Sequence, residues 1–550
     1  MPAPAFPFLT VLVLVPAVGA AVVVLVPREA VNRWFHEMVG AAVALATLVV
    51  AVVIAFRFKT GDGGYQMVSD HVWAKQLGIH WSLGIDGISL FLVVMTALLF
   101  PLAVLGARAR RDPRSFVAWV LLLEAACLGS FVSLDLVLFF VFFELTLVPV
   151  YFLIGTWGYA RRGYAAIKFF IYTFAGSAFL LVGILAVAFI HQSQTGVLTF
   201  ELPALMRTHL SGVEGVLLFI AFTAAFAVKA PVFPFHTWSP DAYAEAPTAA
   251  SVLLAAVMAK LGTYGIIRFD LNLFPQATRT LAPVLLTLAV VGIIYGALVA
   301  CGQRDLKRLL AYSSLAQIGF IVLGTFALNS QGLSGGVLQM VNHGLIIATL
   351  FILVGWIYER RRTWQVSGLK GLQSPAPVLA GVFTVAMMAS IGLPGLNGFV
   401  GEFLVLIGTF VAHRWWAVAA TAGVIVAAVY LLWAYQQGFH GEPTEADTKT
   451  RDLGWNERLV IAPLVILIVA LGVFPKPVLD RINPSVNQLV VHVDQVTHTR
   501  IPAGLDPGPV SAPVARHAPG APGTPGATPA APIRPAGRAP ARTGSTGGAP

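Results

Sequence analysis

The chain alternates between long apolar stretches and short polar ones. Runs of about the ~20 residues needed to cross a bilayer recur almost to residue 475, with clusters of Arg, Pro and Gly between them. The approximate spans are 6–26, 37–57, 86–106, 116–134, 136–156, 166–190, 213–232, 248–268, 280–301, 308–326, 334–357, 376–411, 415–437 and 457–475. Only helices or closed barrels satisfy their backbone in lipid, and these runs lack the two-residue alternation of barrel strands. The expected fold class is therefore an all-α polytopic membrane protein of about 14 transmembrane helices. The N-terminus lacks the positive region of a signal peptide, so Phe6 to Val26 is read as the first span. After His498 the sequence turns to Pro, Ala, Gly, Thr and Arg, a composition that cannot bury enough apolar surface to fold, and 499–550 is expected to be a disordered tail.

Polar positions between the spans set the expected orientation, because short cytoplasmic loops hold the Lys and Arg excess. Arg28 and Arg33 fall in the first loop, Arg108, Arg110, Arg111 and Arg114 in the third, and Arg161 and Arg162 in the fifth. Arg304 and Lys307 follow in the ninth and Arg360, Arg361 and Arg362 in the eleventh, while the fourth and tenth loops have no Lys or Arg. Odd loops are thus expected in the cytoplasm, with both termini on the outer face.

Composition agrees with the pattern: 57% of residues are hydrophobic, 11% are charged and the mean hydropathy is +0.80. The net charge of +10 sits in connecting loops and the tail, with no basic domain to bind nucleic acid; the expected surroundings are a lipid bilayer. Cys127 and Cys301 stand alone in apolar runs, without CxxC spacing. Disulfide frameworks, metal sites and iron–sulfur clusters are therefore not expected, and no cofactor is expected in this chain.

Against that background a few ionisable residues stand out. Glu144 is the only charge between Asp135 and Arg161, and Lys229 and Lys260 each lie within apolar runs. A charge at a helix centre costs about 2.5–3.5 kcal/mol on insertion scales, so each needs partners, water or a purpose. The central cations are lysines, and no arginine is expected deep in a helix; a desolvated Lys can release its proton whereas Arg cannot. His343, in Gln339-Met-Val-Asn-His, has the one side chain that ordinarily titrates near neutrality, although a lone His is as readily a hydrogen-bonded core residue. Glu402 and Glu124 complete the candidate proton relay; for Glu124 a carboxylate hydrogen-bonded between helices is an equal reading. Lys168, close to Arg161 and Arg162, is better read as snorkelling to the surface, and Asp135, at a helix boundary, as a cap. Static Lys–Glu pairing explains any one such residue; the whole set favours proton movement.

Two spans are interrupted. Pro231 and Pro234 break the seventh, beside Lys229, and Pro394 breaks the twelfth, near Glu402. Broken helices in corresponding places mark inverted repeats in many transporters, and spans five apart run in opposite directions. The expected organisation is three N-terminal helices in 1–115, a first five-helix repeat in 116–268, an inverted second repeat in 280–437 and a last helix at 457–475.

Four stretches carry a resemblance: Ser133-Leu-Asp-Leu-Val-Leu-Phe-Phe-Val-Phe-Phe-Glu, Lys229-Ala-Pro-Val-Phe-Pro-Phe-His-Thr-Trp-Ser-Pro-Asp, Arg304-Asp-Leu-Lys-Arg-Leu-Leu-Ala-Tyr-Ser-Ser and Leu393-Pro-Gly-Leu-Asn-Gly-Phe-Val-Gly-Glu-Phe. The region from Leu121 to Phe410 resembles the antiporter-like subunits of respiratory complex I, the proton-pumping NADH-quinone oxidoreductase. It looks most like the M branch, since sister chains L and N usually place Lys where this chain has Glu402. The resemblance implies a proton path through Lys229, Lys260 and His343 to Glu402, with Glu144 paired to Lys229. It implies chains L and N as partners, and NADH, FMN, iron–sulfur clusters and quinone held by partner subunits. Two positions depart from the family: Gln317 stands where His is common and cannot titrate, and Tyr243 stands where His is frequent, leaving His236 as a candidate for uptake or for structure. The rival readings are a subunit of a multisubunit sodium/proton antiporter and a membrane scaffold without transport.

Overall fold

The structure, a computed structural model, describes residues 6–26, 33–106 and 111–497. The loop arginines Arg28, Arg108 and Arg110 and the tail expected at 499–550 lie outside the described residues. The long helices are α1 (Phe8–Leu25), α2 (Arg33–Arg57), α3 (Gly87–Gly106), α4 (Pro113–Val132), α5 (Leu136–Trp157), α6 (Arg162–Thr195) and α7 (Gly212–Lys229). They continue with α8 (Thr248–Leu273), α9 (Pro275–Cys301), α10 (Leu306–Phe326), α11 (Ser330–Arg361), α12 in two pieces (Pro377–Ile391 and Asn397–Ala412), α13 (Arg414–Phe439) and α14 (Trp455–Val473). Among the described residues thirteen helices are long and apolar enough to cross a membrane, and the two pieces of α12 make a fourteenth.

Contacts between connections test the count, because a bilayer core of about 30 Å keeps the two faces apart. The odd loops touch one another: Tyr159 N donates to Glu245 O at 2.8 Å, Leu306 N to Trp364 O at 2.9 Å and Trp157 Nε1 to Arg111 O at 2.6 Å. The even loops do likewise: Leu136 N reaches Phe200 O at 2.9 Å and His80 N reaches Asp135 Oδ2 at 3.1 Å. One helix too many or too few would have put these partners on opposite faces.

Helix ends are satisfied locally. Asp135 Oδ1 accepts from Val137 N and Leu138 N, both at 2.9 Å, so this carboxylate caps α5. Ser211 and Glu214 form a capping box on α7, and Asp305 and Asn329 cap α10 and α11. The core lies around α8, α10 and α11, buried along almost their whole lengths, while α1, α2, α13 and α14 keep large apolar side chains exposed as a lipid-facing surface must.

Three features add to the helical plan. Between α2 and α3 an antiparallel hairpin pairs β1 (Gln66–Ala74) with β2 (Ile79–Ile85) on the even-loop face. After α14 an amphipathic helix, α15 (Lys476–Thr497), buries Val478, Ile482, Val486, Leu489 and Val493 at helical spacing. It lies across the even-loop ends of α3, α9 and α11, where Ser485 Oγ accepts from Gly87 N at 2.9 Å and Asn483 Oδ1 from Ser334 Oγ at 2.8 Å. Finally, α8 contains two π turns, Leu254–Met258 and Ile266–Asp270, and runs to Leu273 rather than ending at 268.

That extension corrects the expectation that no arginine is sunk in a helix. Arg268 is 3% exposed and grips Asp86 with two hydrogen bonds of 2.8 and 2.6 Å. Its Nε donates to Tyr264 at 2.9 Å and it also reaches Tyr65, so the hairpin and α3 are locked to the even-loop end of α8.

Candidate functional site

Lys229 ends α7 because Pro231 cannot donate to Ala227 O. Val232 N takes that carbonyl at 2.9 Å, and Val228 O, thereby freed, accepts Trp238 Nε1 at 2.8 Å. The chain then passes Pro234 into a short helix, Ser239–Glu245. Close packing holds this break against α8: a Cβ on Gly262 would sit 2.4 Å from Phe226 O and 2.5 Å from Ala230 N, so only glycine fits there.

The Lys229 ammonium is buried and points at a discontinuity in α5. Nζ donates to Thr146 Oγ1 at 2.8 Å and Phe143 O at 3.1 Å and lies 4.3 Å from the centre of the Phe143 ring. The Glu144–Lys229 pairing implied by the resemblance is one of charge and not of contact: among the described residues no direct bridge joins them, but Glu144 follows Phe143 in the same turn, close enough for the two charges to act on each other, and its Oε1 is enclosed without a hydrogen bond. The lysine is held by the discontinuity of α5 at Thr146, between a first piece ending at Leu145 and a second starting at Leu147; Pro149, which has no N–H for the carbonyl of Leu145, adds to the interruption.

Lys260 lies between the two π turns of α8, fully buried. Its Nζ donates to Ala255 O, inside the first π turn, at 2.7 Å and meets His343 Nδ1 of α11 at 2.7 Å. The π turn shifts the backbone register, and Ala255 O ends within reach of the side chain. His343 Nε2 is enclosed and unpartnered on the far side of the ring.

Glu402 sits one turn into the second piece of α12. Pro394 lacks a donor, and Gly392 (φ +84°) and Gly395 (φ +92°) turn the chain through left-handed backbone that side chains disfavour. Glu402 Oε2 lies 2.6 Å from where a Cβ on Gly392 would stand, so the glycine also makes room for the carboxyl. Gln317 Nε2 of α10 donates to Glu402 Oε1 at 2.7 Å, and Gln339 Nε2 of α11 donates to Gln317 Oε1 at 2.8 Å. Asn342 Nδ2, also on α11, donates to Asn397 O at 2.7 Å and ties down the break.

Gln339 was not among the expected residues. It lies four residues before His343, hence on the same face of α11, and its Oε1 is unpartnered like His343 Nε2. The signal was present in the spacing Gln339–His343, but nothing in one sequence says which face meets Gln317. The buried polar groups thus run from Lys260 to His343 and, one turn along α11, from Gln339 through Gln317 to Glu402.

The remaining candidates fall elsewhere. Glu124 is fully buried in α4 with both carboxyl oxygens unpartnered, outside these direct contacts. Lys168 pairs with Asp241 at 2.8 Å, and Asp241 also meets Arg308 at 3.2 Å, a cluster on the odd-loop face that fits the near-surface reading. His236 is buried against Phe233 and Tyr295, with ring centres 5.6 and 5.1 Å away. Lys307, expected only as a topology signal, is 1% exposed; its Nζ donates to Ala246 O, Ser251 Oγ and Ala244 O at 2.6, 3.1 and 3.2 Å.

Known proteins are similar to this chain in sequence and fold. Residues 133–427 match the family described as NADH:quinone oxidoreductase/Mrp antiporter, TM. NADH-quinone oxidoreductase subunit M of Rhodobacter capsulatus is 41% identical over 511 residues, covering 90% of this chain and 99% of the relative. A chain of respiratory complex I from Thermus thermophilus superimposes with a TM-score of 0.81 at 31% identity, over 88% of this chain and 99% of that one. A chain of the Mrp complex from Dietzia shares the fold, with a TM-score of 0.76 at 22% identity over 89% of this chain and all of the other. On its sequence and its fold, this chain belongs to the NADH-quinone oxidoreductase subunit M family.

Proposed function

We propose that the chain is the proton-translocating membrane subunit of an NADH-quinone oxidoreductase, carrying protons through Lys229, Lys260, His343, Gln339, Gln317 and Glu402. The observation that carries the route is the direct Lys260–His343 contact at 2.7 Å, which joins α8 to α11 and brings the two predicted five-helix repeats together at an exchangeable proton. Glu144 lies beside the Lys229 contact, and movement at the Thr146 discontinuity is positioned to alter how that lysine is held.

In this reading the odd-loop face is cytoplasmic, the membrane is the bacterial plasma membrane and both termini are outside. Protons enter near the Lys168–Asp241–Arg308 cluster and leave beyond Glu402. Moving one charge across 100 mV costs about 2.3 kcal/mol, so an external drive is required. Partner subunits provide it by quinone reduction; NADH, FMN, iron–sulfur clusters and quinone belong to them, and the sister chains L and N adjoin this one in the membrane. Identity to subunit M over nearly the whole chain favours this over the sodium/proton antiporter reading, for which the likeness is one of fold.

The test is Lys260→Met in the intact complex in sealed vesicles. The expected result is a loss of about tenfold or more in NADH-driven proton pumping with assembly unchanged. Pumping at the parent ratio of protons to NADH would sink this reading.

A further inference from the structure

Asp270 is fully buried near the even-loop end of α8, at the close of the second π turn. Thr223 Oγ1 of α7 donates to Oδ2 at 2.7 Å, while Oδ1 is enclosed and receives no hydrogen bond. Phe222, Phe226, Phe269 and Phe274 line the neighbouring α7–α8 seam, the Phe222 and Phe274 rings 5.2 Å apart. No Lys, Arg or His among the described residues lies within ion-pair distance of it. Arg268, two residues away, is committed to Asp86 and Tyr264, and Arg279 at the start of α9 to Asp494 of α15.

A bare carboxylate in such a place costs several kcal/mol to bury, whereas a carboxyl carrying its proton is a small polar group. Packing does not demand an acid, since asparagine has the same shape and accepts equally well from Thr223. What the carboxyl adds is an exchangeable proton. Its place in the bundle suits that use: it lies ten residues from Lys260, about 15 Å along α8 toward the even-loop face. Thr223 lies six residues before Lys229 on α7. Nearer the even-loop face, Thr278 Oγ1 donates to the backbone carbonyl of Asp270 at 3.3 Å, and the backbone carbonyl of Asn272 meets His492 Nε2 of the partly exposed α15 at 3.0 Å.

We propose that Asp270 is a further proton-carrying residue of this chain, holding a proton between the Lys229–Lys260 centre and the outer face. This rests on the transport reading above and adds a release point in the first half of the bundle, apart from Glu402. Asp270 passes its proton to water on the outer side and becomes the carboxylate. That carboxylate takes a proton from the Lys229 ammonium, relayed by water, leaving the amine to be reloaded from the other face. The second π turn gives this part of α8 an irregular backbone, as π turns at functional sites often do.

The experiment compares Asp270→Asn and Thr223→Val with Lys260→Met in the assembled complex in vesicles, reading protons pumped per NADH and the infrared C=O stretch of protonated carboxyls. Asp270→Asn is expected to remove one protonated-carboxyl band and to lower the ratio by about twofold or more at unchanged assembly. Thr223→Val is expected to keep that band and shift its frequency, because the hydrogen bond at Oδ2 is gone. If Asp270→Asn assembles and either pumps at the parent ratio or leaves every carboxyl band in place, the proposal is overturned. Normal pumping by Lys260→Met would overturn the transport reading itself, so the two failures are distinguishable.

Discussion

Gln317 is the sharpest place to test the row of buried groups, because its amide cannot titrate yet bonds on both sides. Gln317→Leu keeps the volume and removes two hydrogen bonds, one to Glu402 Oε1 at 2.7 Å and one from Gln339 Nε2 at 2.8 Å. All three side chains are at most 5% exposed, so water does not replace what is lost. A hydrogen bond to a charged group contributes about 1.5–3 kcal/mol, and the lost donor matters most when Glu402 carries its charge. At about 1.4 kcal/mol per factor of ten, the step that ionises Glu402 slows by one to two powers of ten. NADH-driven acidification of sealed vesicles, measured beside NADH oxidation and complex assembly, reads this as a lower pumping ratio. Gln317→His, which still donates, is expected to stay near the parent. If the leucine variant assembles and pumps within about twofold of the parent, the amide bridge is not part of the path.

Other expectations concern the frame around it. Asp86→Ala leaves the Arg268 charge buried without its partner and is expected to cost about 3–5 kcal/mol, seen as a lower melting temperature; Asp86→Leu with Arg268→Met is expected to recover most of it. On the even-loop face, burial opposes the charge on His80, but the hydrogen bond and charge of Asp70, with Glu201 and Asp135, outweigh it and raise its pKa above the ordinary 6.5. That stabilisation is complete below about pH 6.5 and is lost as pH rises through the raised value, so the hairpin's hydrogen-exchange protection factors, with the base-catalysed intrinsic rate divided out, should fall on alkalinisation in the parent and not in His80→Phe. Gly262→Ala pushes a methyl into Phe226 O and Ala230 N and is expected to destabilise by about 1–3 kcal/mol in thermal melts.

Apolar run length made the spans legible, and loop charge predicted a parity that the loop contacts repeat, because both follow from local composition. The breaks at Pro231, Pro234 and Pro394 were legible for the same reason: a missing N–H is a property of one residue. The π turns of α8 were not, since nothing in Leu254–Met258 differs in kind from an ordinary apolar helix and the displaced carbonyl is chosen by Lys260 and α11 together. Gln339, Lys307 and Asp270 were missed because their meaning depends on which helix they face. The hairpin was not legible because its strands are far shorter than a bilayer-length run, and α15 was not because its apolar face is too thin to register as a span.

Arg268 and the lysines of the row show two ways of burying a cation, and the difference bears on transport. Arg268 meets a carboxylate through two short hydrogen bonds, has tyrosine neighbours and cannot release its proton, which makes it a fixed tie. Lys229 and Lys260 each meet two neutral acceptors, supplied by irregular backbone and one side chain from a neighbouring helix. Burying such a charge costs about 2.5–3.5 kcal/mol at a helix centre, and each hydrogen bond to it returns about 1.5–3, so each acceptor offsets a large share of that cost. Removing one acceptor through a small shift of α5 or α11 withdraws stabilisation comparable to that cost. The kink at Thr146, the π turn at Ala255 and the break before Glu402 therefore do more than tolerate ionisable residues: they leave each one weakly enough held for a modest displacement, driven from outside this chain, to load or unload it.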